Sequence, residues 1–103
     1  MSINNRNLRS ICHASLGTNN VAKAEAFYTP LLKVLDIERV CEYEHAVAYG
    51  KGYPEVWLQL PFDKQPATVG NGTHIGFVAS SKEQVDDFYT LALTLGADCN
   101  GEP

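Results

Sequence analysis

The chain is short of positive charge. Eight Lys and Arg stand against twelve Asp and Glu, a formal net charge of −4, and the basic residues form no cluster. A nucleic-acid binder normally carries a basic face, so no nucleic-acid partner is expected. Long apolar runs are missing too. No stretch approaches the length of a membrane span, and the opening "MSINNRNLRS" lacks the apolar core of a secretory signal. Cysteine is scarce: Cys12, Cys41 and Cys99 are odd in number, widely spaced and form no CxxC pair. They read as reduced thiols of a cytoplasmic protein. Cys12 adjoins His13, but neighbours on a strand point to opposite faces, which argues against a thiol–imidazole nucleophile.

What is present is enough for one domain spanning 1–103, with 45% apolar residues and one modest core. "LRSICHASLGT" (8–18) reads as a strand closed by the turn-forming "GTNN". A helix over about 20–35 follows, with Val21, Ala24, Tyr28, Leu31, Leu32 and Leu35 on one stripe and Asn19 or Asn20 as its cap. Pro30 sits inside that pattern and predicts a kink or break near Tyr28–Pro30. Short strands are expected at 37–43, 45–50 and 54–60, then a loop at 61–72. Residues 73–79 ("THIGFVA") read as a strand, and 82–95 as a helix opened by a Ser81/Gln84 capping box. "GADC" (96–99) should begin a further strand.

One pattern occurs twice. Sliding 74–97 under 13–36 without a gap places His74 on His13, Phe88 on Phe27, Tyr89 on Tyr28, Thr90 on Thr29 and Leu93 on Leu32. Two amphipathic helices share some apolar matches by chance; a histidine and a Phe-Tyr-Thr triplet in the same register are harder to obtain that way. The repeat implies a duplicated unit of strand, helix and three strands. The first copy, 8–60, has all its parts. The second, 73–103, has room for the strand and helix and little more.

Side chains alternate along strands. Ile11, His13 and Ser15 share one face, opposite Cys12, Ala14 and Leu16. His74, Gly76 and Val78 share another, opposite Ile75, Phe77 and Ala79. In 55–60 the apolar set is Val56, Leu58 and Leu60, so Glu55, Trp57 and Gln59 turn with the histidines, away from the helices. Two imidazoles and an oxygen donor on a concave surface are the makings of a site for zinc, iron, nickel or manganese. Glu55 and Gln59 stand about 13 Å apart along an extended strand, so at most one joins the histidines. Glu55 is the better ligand by chemistry. Without a metal, His13 and His74 would simply line a polar pocket. Trp57 and Tyr49 offer stacking faces for a planar small molecule; Trp57 could equally belong to the core.

"CHASLGTNNVAKAEAFYTPLLKVL", "EVWLQLP" and "GNGTHIGFVASSKEQVDDFYTLALTLGA" together resemble the vicinal oxygen chelate superfamily, which holds glyoxalase I, bleomycin- and fosfomycin-resistance proteins and extradiol dioxygenases. The resemblance implies an α+β fold of strand-helix-three-strand modules whose sheets curl into a cup, with one full module and a truncated second one here. It implies metal ligands at His13, Gln59 and His74, and a fourth, usually a glutamate, that falls beyond Pro103. Gln59 stands where a carboxylate is usual and cannot serve as a base, so a divalent metal is expected to bind weakly. Two functions follow from the resemblance: a metal-dependent lyase or dioxygenase-like enzyme, or a metal-free protein that sequesters a small molecule. An inactive truncated duplicate is the third. An exposed sheet edge and an uncovered cup point to a homodimer.

Overall fold

The computed structural model describes residues 10–103. The polar lead 1–7 and the first residues of the expected strand 8–18 lie outside that range. The order of elements is β1 (Ala14–Gly17), α1 (Val21–Lys33), β2 (Glu38–Tyr43), β3 (Ala46–Gly50), β4 (Val56–Gln59) and α2 (Lys82–Thr94). The strands form one sheet in the order β1-β4-β3-β2. β1 runs parallel to β4, and the other two pairings are antiparallel. This is the α+β, strand-helix-three-strand architecture expected of the first module, followed by a second helix.

Local chemistry explains both helices. Asn20 has extended backbone, and its side chain accepts the Lys23 N–H at 3.0 Å, satisfying one of α1's unpaired first-turn donors. Ser81 does the same for α2 through the Gln84 N–H at 3.1 Å. The capping box forms in altered shape: Gln84 Oε1 accepts from the backbone N–H and hydroxyl of Ser80, at 2.8 and 2.9 Å, instead of from Ser81. Both helices end by the same device. Ile37 N–H reaches back to the Leu32 carbonyl, and Ala97 N–H to that of Ala92. The residues just before them, Asp36 (φ 59) and Gly96 (φ 105), take the left-handed conformation that such a turn requires.

The core lies between the sheet and α1. Leu32, Val47, Tyr49 and Leu58 are its buried centre, with Leu16, Val21, Ala24, Tyr28 and Ile37 packed around it. Val47 pairs with Leu58 and Tyr49 with Val56 across β3 and β4. That register puts all four side chains on the helix-facing side. Each such buried apolar side chain contributes about 1.5–3 kcal/mol relative to exposure. Gly50 closes β3 where the Tyr53 carbonyl occupies the space of a side chain, so only glycine fits the β3–β4 turn.

Three expectations change. The kink at Pro30 does not occur: α1 continues through Pro30 to Lys33. Proline removes the donor for the Ala26 carbonyl, but Ala26 and Pro30 are exposed, so water can take that place. Leu31, Leu32 and Leu35, all buried, hold the last turn on its helical path. Residues 73–79 do not form a strand, nor do 96–99. A strand exists through its neighbour's ladder, and no segment among the described residues offers one to 73–79. The side-chain alternation survives: Ile75, Phe77 and Ala79 are half-buried, and Phe77 lies 6.3 Å from Phe88, ring centre to ring centre. Last, β1 is shorter than predicted and begins one residue after His13.

Candidate functional site

The sheet face turned away from the helices follows from the register. Ser15 is level with Trp57, Trp57 with Ala48, and Ala48 with Cys41. The next row holds Gly17, Gln59, Ala46 and Tyr43. Trp57 thus stands between small residues, Ser15 on one side and Ala48 on the other. Across β3, Tyr43 and Trp57 lean together over the two alanines. Their rings are nearly parallel, with an interplanar angle of 23° and centres 6.1 Å apart. Tyr43 is 66% exposed. Trp57 is half-buried, so it belongs to the open face and not to the core.

Tyr49 is not on this face. It is 1% exposed in the core, its hydroxyl 2.8 Å from that of Thr29 on α1. Burial pushes its phenol pKa up, the Thr29 bond opposing. A ring so placed offers no stacking surface, which corrects the reading of Tyr49 as a ligand-binding residue. Tyr43 fills the role instead. The phase of β3 carried the signal: Tyr49 keeps step with Val47, whereas Ala46 and Ala48 mark the open face and leave room above themselves for neighbouring rings.

The polar candidates are spread out. Glu55 directly precedes β4, and its backbone carbonyl accepts the Ala14 N–H at 2.9 Å. This sets His13 and Glu55 side by side at the lower rim. Glu55 also has a structural task, accepting the Lys51 N–H at 3.1 Å in the β3–β4 turn. Gln59 is level with Gly17, so four residues of strand, about 13 Å, separate its row from that of His13. His74 is exposed on the outward phase of 73–79. None of His13, Gln59 and His74 hydrogen-bonds to another, and among the described residues no three His, Cys, Asp or Glu side chains gather closely enough to hold a metal ion. His13 and Gln59, two of the positions that the family pattern implies as ligands, sit in different rows of the sheet.

Two grooves flank this face or lie beyond it. A groove of about 820 Å³ runs between the start of α1 and the end of α2, past Asn20, Lys23, Phe27 and Leu95. Another of about 710 Å³ separates β1 from the 61–73 loop. That loop is fastened by Asn19, whose side chain accepts the Ala67 N–H at 2.6 Å and donates to the Ala67 carbonyl at 3.4 Å. Neither groove is lined by Trp57 or Tyr43. The sheet face carries the stacked Tyr43–Trp57 pair, with the polar candidates in separate rows around it. No helix among the described residues is long and apolar enough to cross a membrane.

No family model matches the chain, and no curated protein resembles it. Its structure is similar to the crystal structure of a glyoxalase/bleomycin resistance protein from Albidiferax ferrireducens T118. The two share 32% identity over 88% of this chain and 77% of that one, with a TM-score of 0.78.

Proposed function

The chain belongs to the glyoxalase/bleomycin resistance family of the vicinal oxygen chelate superfamily, and from that membership we propose that it is a small-molecule-binding protein whose ligand surface is the sheet face opposite the helices. One observation carries the reading. The tryptophan on this face, the only one in the chain, is flanked by Ser15 and Ala48 and backed by Tyr43. Aromatic area with small neighbours and a few polar groups at its rim is the usual make-up of a ligand site. The proposed ligand capture uses the aromatic surface and no metal step, since His13 and Gln59 lie in different rows of the sheet. Divalent zinc, iron, nickel or manganese is expected to bind weakly. The test is a panel of small planar and polar compounds screened by Trp57 fluorescence and thermal shift, before and after chelator treatment. Saturable binding that survives the chelator supports the reading. Binding abolished by chelator and restored by one metal would overturn its metal-free part, and a panel without any hit would overturn the whole.

Pairing of two chains completes this surface. Ile11 (72% exposed) and Val78 (81%) leave apolar area on the outward phases of their segments, and Phe62 (98%) and Val69 (97%) add more on the loop. A second copy covering them would bury roughly 1,000 Å² or more in total, the size of a specific interface. Light scattering at micromolar concentration is expected to return twice the 11.3 kDa chain mass; a monodisperse monomer would sink the proposal.

A further inference from the structure

Beyond ligand binding, we propose that Asn71 is a modification site: it deamidates spontaneously, which sets a new carboxylate in the loop beside β1. Asn71 and Gly72 are the centre of a four-residue turn, closed by the Thr73 N–H donating to the Gly70 carbonyl at 2.7 Å. Gly72 has φ 92, the conformation that such a turn reserves for glycine at this position. Asn71 is exposed. Neither its carboxamide nor the Gly72 N–H has a hydrogen-bond partner among the described residues. A β-carbon at Gly72 would meet nothing within 4 Å, so no neighbour hinders rotation of the backbone there. The carboxamide carbon and the next backbone nitrogen are thus free to close a five-membered ring.

The Gly72 nitrogen attacks Cγ of Asn71. A bond forms between them, the bond from Cγ to the side-chain nitrogen breaks, and ammonia leaves with the Gly72 proton. Water then opens the cyclic imide at either carbonyl. One opening gives aspartate. The other gives isoaspartate, whose main chain runs through the side-chain carbon. Either product adds a negative charge to a chain already at −4. Isoaspartate also lengthens the turn by one carbon, directly before Thr73 and His74. The fold holds the other described asparagines back. Asn20 accepts the Lys23 N–H, Asn19 grips the backbone of Ala67, and neither precedes glycine. Asn100 does precede glycine, but the Gly101 N–H is tied to Cys99 Sγ at 3.4 Å. Two copies of one dipeptide therefore differ: the nitrogen that must attack is free at Gly72 and restrained at Gly101.

The test ages the native chain beside the urea-unfolded chain in mildly alkaline water enriched in heavy oxygen. Peptides are then read by mass spectrometry, with fragmentation that separates aspartate from isoaspartate. Asn71 is expected to lose its amide at comparable rates in both samples, with heavy oxygen in both products and isoaspartate the larger. Asn100 is expected to react more slowly in the native chain than in the unfolded one. An isoaspartyl carboxyl methyltransferase with a labelled methyl donor should mark the aged native chain, and Asn71→Gln should lose most of that label. An Asn71 amide that survives in the native chain while the unfolded chain loses it overturns the proposal. So does an Asn100 that reacts before Asn71 in the native chain, or an aged chain without isoaspartate. Ligand capture at Trp57 is decided separately, by the compound panel.

Discussion

The two helices are the same length, thirteen residues, and stand sixty-one positions apart from first residue to last (Val21–Lys33 and Lys82–Thr94). Their caps, Asn20 and Ser81, keep the same spacing. Yet α1 buries Leu31 and Leu32, and α2 buries no residue fully. Equivalent tyrosines show the difference closely. Tyr28 packs against the core and its pKa is raised by burial. Tyr89 lies on the surface, 3.1 Å from the Cys99 thiol, and its pKa is raised to about 12, chiefly by that hydrogen bond. The same local code makes the same helix twice; what a helix buries depends on the sheet beside it. α1 has β2, β3 and β4. α2 has α1 and the extended segment 73–79, and only Phe88, beside Phe77, packs from it against the core.

The largest test of this contrast is Leu32 against Leu93. Leu32→Ala, at a fully buried position among Val47, Tyr49 and Leu58, is expected to cost about 2–5 kcal/mol in urea unfolding. Leu93→Ala, at a side chain 39% exposed, should cost less than about 1 kcal/mol. Equal losses would mean that α2 is packed as tightly as α1.

Cap removal comes next. Asn20→Ala and Ser81→Ala each remove one N–H acceptor and should each cost about 1 kcal/mol. The loss at Asn20 should lower global stability. The loss at Ser81 should emerge as faster amide exchange confined to α2, because a helix with no buried residue opens on its own. Uniform exchange throughout the chain would contradict this.

At the helix exits the two copies should respond with opposite sign. Gly96→Ala forces a β-carbon into φ 105 and should destabilise by about 1 kcal/mol. Asp36→Gly relieves a left-handed aspartate and should stabilise by a few tenths up to about 1 kcal/mol, less whatever its weak 3.4 Å bond from Gln84 contributes.

The smallest effect is on titration. Hydrogen bonds from Tyr89 and the Gly101 N–H hold the Cys99 thiol pKa below its ordinary value. Tyr89→Phe should raise the pH at which iodoacetamide modifies Cys99, and Cys99→Ala should bring the Tyr89 phenol down from about 12 while leaving Tyr28 high. A raised folded-state pKa gives stability that is complete below the ordinary phenol value of 10.0 and lost as pH rises through the folded one. Both tyrosines therefore weaken the fold only in strong alkali, read as unfolding against pH.

Much of this was legible before any coordinates. The 3.6-residue stripes and capping residues located both helices to within two residues, because caps and periodicity act locally. The three strands after α1, expected at 37–43, 45–50 and 54–60, stand within two residues of those bounds. Misreadings arose where distant parts decide. Whether 73–79 becomes a strand depends on a neighbour, not on its own alternation. Pro30 reads as a breaker until the buried leucines beyond it are known to hold the turn. Tyr49 and Tyr43 both lie on predicted strands; the phase of β3 puts Tyr49 in the core, but the face of Tyr43 depends on the cross-strand register, shifted once between Arg39 and Cys41.

That shift in β2 bears on how the chain avoids coalescing with its own kind in the wrong way. A sheet's outermost strands are where aggregation begins, and irregular backbone and charge are the usual safeguards. β2, one margin of the sheet, has both: its pairing is broken between Arg39 and Cys41, and it carries Glu38, Arg39 and Glu42. β1, the opposite margin, reads Ala-Ser-Leu-Gly, regular and uncharged. Among the described residues, extension of the sheet by a foreign strand is therefore hindered along β2, whereas β1 carries neither safeguard.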